Sequence, residues 1–490
     1  MAKLYVFGIG GTGSRTLRAL TMMLASGVEC KFDTVVPVII DPDISAADMS
    51  RTVDAMTRYM EVRKSLDPNS ANENRFFRTK ICPIQDMSTF KLTLENTENV
   101  TFRDYMKTNQ MDAPSKALIN MLFSQANLDS DMVVGFKGNP NIGSVVLNQF
   151  SSSDAYKAFS NNFEEGDRVF IISSIFGGTG ASGFPLLLKT LRNDQTSQHW
   201  NYIKNAKIGA VTVLPYFSVE QDDNSGVDSS TFYSKTKSAL AYYDRNITGN
   251  NSVNALYYIG DRTPASYKNH DGGSEQRNDA HMVELFAALS ILKFASTPDS
   301  ELDGKTQTYE YGIDTNDEDI RQVIFENLGS ETRQLIQKKL TMFLLMNKYM
   351  KNALASQFKY QPWAKDCGLD ENFFTSQYYS DLKKFHDAFY VWLEELGKNT
   401  RSFKPFNEAR IVPLFDLVNG QKAHKILWPL HDLFAKDYAL MDSYLNTNWP
   451  KWNKTASKEQ KFMELFYRAT DKLTLKKYNF QDYGKGIQNT

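Results

Sequence analysis

The sequence predicts an α/β fold: a mostly parallel sheet flanked by helices, followed by a mainly helical C-terminal region. Three observations lead there. Short apolar runs that end in glycine-rich or acidic turns, or at a proline, recur at Lys3–Phe7, Thr34–Ile40, Arg168–Ser174, Lys207–Leu214 and Ala255–Ile259. Segments with helical spacing separate them. Two of the runs lead into glycine–threonine loops, GIGGTGS at 8–14 and FGGTGASG at 176–183.

In chain order, Lys3–Phe7 reads as a strand, Gly8–Ser14 as a loop and Arg15–Leu24 as a helix of good helix formers. Thr34–Ile40 is the next strand and stops at Asp41-Pro42-Asp43. The loop then sits at the carboxyl end of a strand, where open α/β sheets bind ligands. Residues 49–128 are polar and mixed, an elaboration on the sheet with helices over Met49–Arg63 and Ser115–Asn127. Met132–Gly135 begins a short strand, GNPNIG at 138–143 is a turn-rich loop, and Ser144–Phe159 continues as helix. Arg168–Ser174 is the strand before the second glycine loop, and Phe184–Arg192 is the helix after it. Thr231–Arg245 reads as helix between the acidic loop Gln221–Ser229 and the strand Ala255–Ile259. Thr263–Arg277 is a polar loop, and 278–295 is the most apolar helix of the chain.

The character then changes. Residues 297–331 connect the α/β domain, 1–296, to a region of mainly helical pattern over 332–490. It holds a helix over Arg333–Phe358, a strand over Arg410–Val418, and a dense aromatic set that includes Tyr378, Phe385, Phe389, Trp392, Trp428, Trp449 and Trp452. Such clusters belong first to cores and second to interaction surfaces.

Composition narrows the function. The chain has 490 residues, with 56 Lys+Arg against 57 Asp+Glu, and this balance gives no support to a nucleic-acid or membrane-surface binder. Cys30, Cys82 and Cys367 are far apart and form no CxxC pair, which fits a reducing compartment and argues against a structural zinc site. The N-terminal apolar run lacks the pattern of a signal peptide. No apolar run approaches the ~20 residues of a membrane span. A cytoplasmic location without a membrane span is expected.

The glycine loops carry the chemistry. A strand, a glycine loop and a helix together bind phosphate, because backbone N–H groups reach the anion and the helix N-terminus adds partial positive charge. Thr179 and Ser182 add hydroxyls. GIGGTG alone fits a dinucleotide fingerprint, and Asp41 at the end of the second strand suits a ribose contact. Two such loops about 165 residues apart, with GNPNIG between them, suit a nucleoside triphosphate better than a dinucleotide. No GxxxxGK[ST] motif is present, which excludes a P-loop.

With these motifs in place, residues 1–295 resemble the tubulin/FtsZ superfamily. GIGGTGS, IIDPDISAADMS at 39–50, GFKGNPNIG at 135–143, FGGTGASG, PYFSVE at 215–220 and IGDR at 259–262 follow the family's order. The resemblance implies GTP or GDP as ligand, with Mg2+ held mainly through the phosphates. It places Gly10, Gly11, Thr12 and Gly13 at the α/β-phosphates. It places Gly138 and Asn139 near the γ-phosphate. Gly177, Gly178, Thr179, Gly180, Ala181, Ser182 and Gly183 would wrap the phosphates, and Glu220 would take the ribose hydroxyls. Asn278 or Asp279 would read the guanine edge; the alternative for both is a helix N-cap.

The same resemblance implies head-to-tail self-association into filaments, with hydrolysis across the contact. The acid would come from the loop after the central helix, where Glu301 and Asp303 are the candidates. The family's NxDxxD-like pattern is missing there, and its β-rich activation domain is not legible beyond residue 300. Two alternatives stay open. One is a non-hydrolysing GTP-binding scaffold that docks a protein partner through its C-terminal region. The other is a Rossmann-type enzyme using NAD or ATP, which leaves FGGTGASG and GNPNIG unexplained.

Overall fold

The computed structural model describes residues 2–43, 45–66, 76–97, 100–132, 136, 138–219, 229–261, 265–267, 273, 277–310, 313, 320–407, 413–426, 437–447 and 456–482. Its frame is an eight-stranded sheet in which every pairing is parallel. The strands are β1 (Lys3–Ile9), β2 (Thr34–Ile40), β3 (Lys80–Ile81), β4 (Lys91–Leu92), β5 (Arg168–Ser174), β6 (Lys207–Val213), β7 (Ala255–Ile259) and β8 (Gln307–Glu310). They lie in the order β8-β7-β6-β5-β1-β2-β3, with β4 also on β2. β5 is buried along its whole length, as a strand covered on both faces should be.

The outer edge of β2 shows how one residue shapes a sheet. β3 pairs with Thr34 and Val35, and β4 pairs with Ile39 and Ile40. Pro37 lies between them. The edge bonds use the carbonyls of Asp33 and Val35 and the N–H of Ile39, so alternation turns residue 37 to the same edge. Proline has no N–H to give there, and the partner strand is split in two. The 49–128 elaboration therefore contributes two strands to the sheet, which its polar composition hides.

Helices cover both faces. α1 (Gly10–Ala25), α2 (Ala47–Lys64) and α7 (Met282–Ser296) pack together on one. On the other lie α3 (Pro140–Val146), α4 (Asp154–Asn162) and α5 (Gly178–Asn193), with α6 (Ser229–Tyr243) nearby. Both glycine loops are shorter than the sequence suggests, because α1 starts at Gly10 and α5 at Gly178. The expected helix 278–295 runs over Met282–Ser296 instead. Its N-cap is His281, whose Nδ1 accepts from the Val283 N–H while Glu284 accepts from the His281 N–H. Asn278 and Asp279 are not its caps. The segment read as one helix over Ser115–Asn127 is two, Ala113–Leu122 and Gln125–Leu128, broken at Phe123-Ser124. Ser144–Phe159 is likewise divided, by a 3-10 turn over Leu147–Ser152. The polar stretch after residue 300 includes β8, which sequence reading missed.

The C-terminal region is mainly helical, as expected. Its long helices are α8 (Ser330–Tyr349), α9 (Gln377–Leu396), α10 (Asp437–Thr447) and α11 (Lys458–Tyr478). Residues 413–418 form a turn with an isolated bridge from Phe406 to Val418, not the expected strand; residues 410–412 lie outside the described residues. The aromatics here are core. Tyr378, Phe385, Phe389 and Trp392 are buried, and Phe343 and Phe385 meet Phe77, while Phe76 meets Phe343 and Tyr467. Phe76 and Phe77 belong to the N-terminal elaboration, so the two halves share one aromatic core. Trp428, Trp449 and Trp452 lie outside the described residues.

Candidate functional site

The strand order reverses between β1 and β5, the neighbours from which the chain winds outward in opposite directions. Open α/β sheets bind ligands at such a point, beyond the carboxyl ends of the strands. Both glycine–threonine loops emerge there, one after β1 and one after β5. Gly10 adopts φ +72°, a left-handed conformation that only glycine takes freely, and so turns the chain from strand into helix. A Cβ on Gly10 would lie 3.5 Å from the Thr179 Cβ and 3.7 Å from the Gly180 nitrogen, so the two loops touch.

The third loop joins them. A Cβ at Gly178 would sit 3.1 Å from the Asn139 nitrogen and 3.2 Å from the Gly138 nitrogen. Gly143 is more crowded still: a Cβ there would clash with Ser182 Oγ and lie 3.1 Å from the Gly178 oxygen. The loops at 8–13, 138–143 and 177–183 therefore converge on one crevice. This brings together Gly10, Gly11, Thr12, Gly13, Gly138, Asn139 and the Gly177–Gly183 run, segments far apart in sequence.

Individual side chains are committed in ways the motifs do not show. Ser182 Oγ donates to the Gly178 carbonyl at 2.7 Å, so its proton is spent inside α5 and it is no hydroxyl donor to a ligand as placed. Asn139 Oδ1 accepts from the Asn141 N–H and caps α3. Asp41 Oδ1 accepts from the Asp43 N–H at 3.1 Å. Desolvation pushes the Asp41 carboxyl up to about 7, against the pull of that backbone bond. Glu220 lies outside the described residues. Tyr216, from the same PYFSVE segment, is buried against Phe176 and His281.

Two features were not foreseen. Lys235 on α6 donates from Nζ to the Gly138 carbonyl at 3.0 Å, which sets an ammonium beside the third loop. The second is a buried polar network behind the first loop. Arg15 donates from Nε to Glu284, from Nη1 to Asp48 at 3.0 Å and from Nη2 to Tyr216 at 2.9 Å. Arg51 joins Asp48 to Glu395 of α9, and Arg18 also donates to Glu395, at 2.9 Å. Asn278 is part of it, with Nδ2 donating to Asp48 at 2.8 Å. Asp279 is half exposed and lies 4.0 Å from Lys398. The sequence did carry a signal: Glu284 is the one acid in the apolar run MVELFAALSIL, and a buried carboxylate needs a cation.

Glu301 and Asp303 sit at the other end of the sheet. Arg168, at the start of β5, donates to the Phe294 carbonyl and pairs with Asp299 at 2.6 Å. Lys207, at the start of β6, pairs with Asp303, and Asn254, just before β7, donates to the Leu302 carbonyl. The acidic segment thus runs along the amino ends of β5, β6 and β7. Seven residues of strand, roughly 20 Å, separate it from the glycine loops of the same chain. Of the two candidates, Asp303 is engaged by Lys207, and Glu301 is exposed without an ion pair among the described residues.

No family model matches the chain, and no curated protein matches it. Among solved structures it is similar to CetZ2 from Haloferax volcanii in a GTPγS-bound protofilament, at 12% identity over 61% of this chain and 61% of that one, with a TM-score of 0.29. It is also similar to TubZ of Bacillus thuringiensis serovar israelensis in a GTPγS-form protofilament, at 11% identity over 53% of this chain and 48% of that one, with a TM-score of 0.22. A helical model of a two-stranded TubZ-Bt filament gives 9% identity over 53% and 46%, again with a TM-score of 0.22. The chain spans between about half and three fifths of the length of these neighbours. Among the described residues no helix is long and apolar enough to cross a membrane. The described residues themselves establish a doubly wound α/β domain with three glycine loops at its switch point and a helical C-terminal half.

Proposed function

We propose that the chain binds GTP in the crevice where the three loops meet, and that it associates head to tail with further copies of itself. The observation that carries this is the convergence of the loops at 8–13, 138–143 and 177–183 on the strand-order reversal. Backbone N–H groups there suit a polyphosphate, and Lys235 brings a positive charge to the loop assigned to the γ-phosphate. Asn278, beside Asp48 and Arg15, meets the guanine edge, and Glu220 and Asp41 serve the ribose side. Among the described residues no three His, Cys, Asp or Glu side chains cluster as a metal site. Mg2+ would be held through phosphate oxygens, whose charge it would neutralise.

Hydrolysis, in this reading, needs a second copy. The acids after α7 lie at the pole of the sheet opposite the loops, so one chain cannot bring its own Glu301 or Asp303 to its own γ-phosphate. Stacking one copy's acidic pole on the next copy's loops completes the site, where an acid orients water and positioning does the catalysis. Glu301 is the better placed of the two, because Asp303 already serves Lys207.

The test is turnover measured across protein concentration, with guanine nucleotide content of the purified protein. Phosphate release per chain that rises with concentration, and falls at least tenfold in Glu301→Ala, is the expected result, the size being typical of a lost positioning acid. Finding NAD or ATP bound, or no guanine nucleotide at any magnesium level, would sink the reading. Guanine nucleotide bound with no phosphate release at any concentration would favour a GTP-binding scaffold instead.

A further inference from the structure

Asn278 is held by an unusual partner. Asp48 accepts its side-chain Nδ2 at 2.8 Å and its backbone N–H at 3.1 Å. Arg15 Nη1 donates to the same carboxylate at 3.0 Å and Arg51 Nη2 at 2.7 Å, and Arg51 Nη2 also donates to the Asn278 carbonyl. Asp48 is buried. Burial opposes its ionisation, but the Arg15 and Arg51 guanidiniums and the Asn278 amide outweigh it and hold the carboxyl below its ordinary range.

An ionised carboxylate only accepts hydrogen bonds. Facing it, the Asn278 amide must turn its NH2 inward, and Oδ1 is the end left open. An amide that rotates freely offers a donor or an acceptor as the ligand requires. One locked by a carboxylate offers an acceptor alone.

We infer that Asp48 is a specificity-determining positioning residue, which fixes the Asn278 amide so that the site accepts only a base presenting donors at that edge. This rests on the proposal that Asn278 meets the base. Guanine presents N1–H and a 2-amino group. Adenine presents a bare N1, and xanthine a carbonyl where guanine has its amine; each would set an acceptor against Oδ1. An acceptor set against Oδ1 leaves both groups unpaired, which is costly, so rejection is strong. Hypoxanthine keeps N1–H and loses only one donor, so it falls between.

The experiment is competition of GTP against ITP, XTP and ATP for the full chain, in the wild type and in Asp48→Asn, with melting curves for both. The wild type should bind ITP more weakly than GTP, and XTP and ATP each roughly 100-fold more weakly. In folded Asp48→Asn the amide gains a partner that both donates and accepts, and the XTP penalty should shrink about tenfold. XTP bound within a few-fold of GTP by the wild type overturns the inference, because it shows a rotating amide. So does a folded Asp48→Asn with an unchanged XTP penalty. Should Asp48→Asn fail to fold, the wild-type series still decides. A wild type that prefers GTP to ATP but admits XTP removes this inference alone, whereas a wild type that binds no guanine nucleotide removes the proposed function as well.

Discussion

At Gly180 a single methyl group has no room. Its Cβ would lie 2.6 Å from the Ser174 carbonyl oxygen and 2.8 Å from the Ser174 nitrogen, both backbone atoms that cannot swing aside. Gly180→Ala should destabilise the fold by about 1–3 kcal/mol, as overpacking does, and abolish nucleotide binding. Chemical denaturation and a nucleotide-binding assay check the two parts. Titration at single residues gives a second expectation. Burial pushes His281 and His386 down to about 3, so both are neutral when folded and charged in the unfolded chain below about 6.5. Between these values the unfolded state binds more protons, and stability falls as pH falls from 6.5 toward 3. Asp41 acts oppositely: its carboxyl sits near 7 when folded and near 3.8 when unfolded, so the folded state binds more protons between those values and stability falls as pH rises. Asp41→Asn should remove that second slope and raise the melting temperature at pH 8 more than at pH 5. Among the described residues neither ring nitrogen of His386 finds a hydrogen-bond partner, and its ring stacks on Phe343 at 4.3 Å between centroids. His386→Phe should flatten the acid limb of a pH–stability curve without loss at neutral pH.

Among the elements, α9 bears most directly on the nucleotide domain. Glu395 near its C-terminus receives Arg18 of α1 and Arg51 of α2, and also the Ala280 N–H ahead of α7. Removing a single partner from such a buried set leaves charges unpaired, at a cost of about 3–5 kcal/mol. Glu395→Ala should lower stability by that order in a denaturant titration, whereas Glu395→Gln, which keeps one acceptor, should cost less. The opposite expectation holds for the helix Ala113–Leu122. Leu118, Met121 and Leu122 are largely exposed there, so Met121→Gln with Leu122→Gln should leave unfolding within about 0.5 kcal/mol of wild type. Elements also differ in how far the sequence discloses them. β1, β2, β5, β6 and β7 are continuous apolar runs, and that is what burial on two faces demands. β3 and β4 have two residues each and exist because Pro37 interrupts an edge three-dimensionally, which no local pattern reports. The start of α7 was misplaced because Asn278 and Asp279 are good caps by type, while the cap in use is His281 with Glu284.

Across the whole molecule, the two poles of the sheet divide the labour. The glycine loops could be placed from sequence because their chemistry is local and the strand-loop-helix order fixes where they emerge. The network of Arg15, Asp48, Glu284, Arg51 and Glu395 could not, because its members come from four helices and only the fold makes them neighbours. The same holds for the aromatic core shared by Phe76 and Phe77 with Phe343, Phe385 and Tyr467: the aromatic richness beyond residue 332 was visible, its partner in the N-terminal half was not. A chain cut after residue 330 loses every one of those partners. It should fail to give a cooperative unfolding transition, where the full chain gives one, and calorimetry of both checks this.

The Arg18–Glu395 pair joins residues 377 positions apart. During synthesis the N-terminal half emerges long before α9 exists, so Arg18 must wait without Glu395, Arg51 with Asp48 but without Glu395, and Phe76 and Phe77 uncovered. Loop closure over that length is slow and exposes apolar surface meanwhile. The nascent chain is therefore expected to mature only after about residue 396 has left the ribosome, and to depend on chaperone capture until then. Arrest of translation before and after that point, followed by limited proteolysis, should show protection of α1 and α2 appearing only in the longer product.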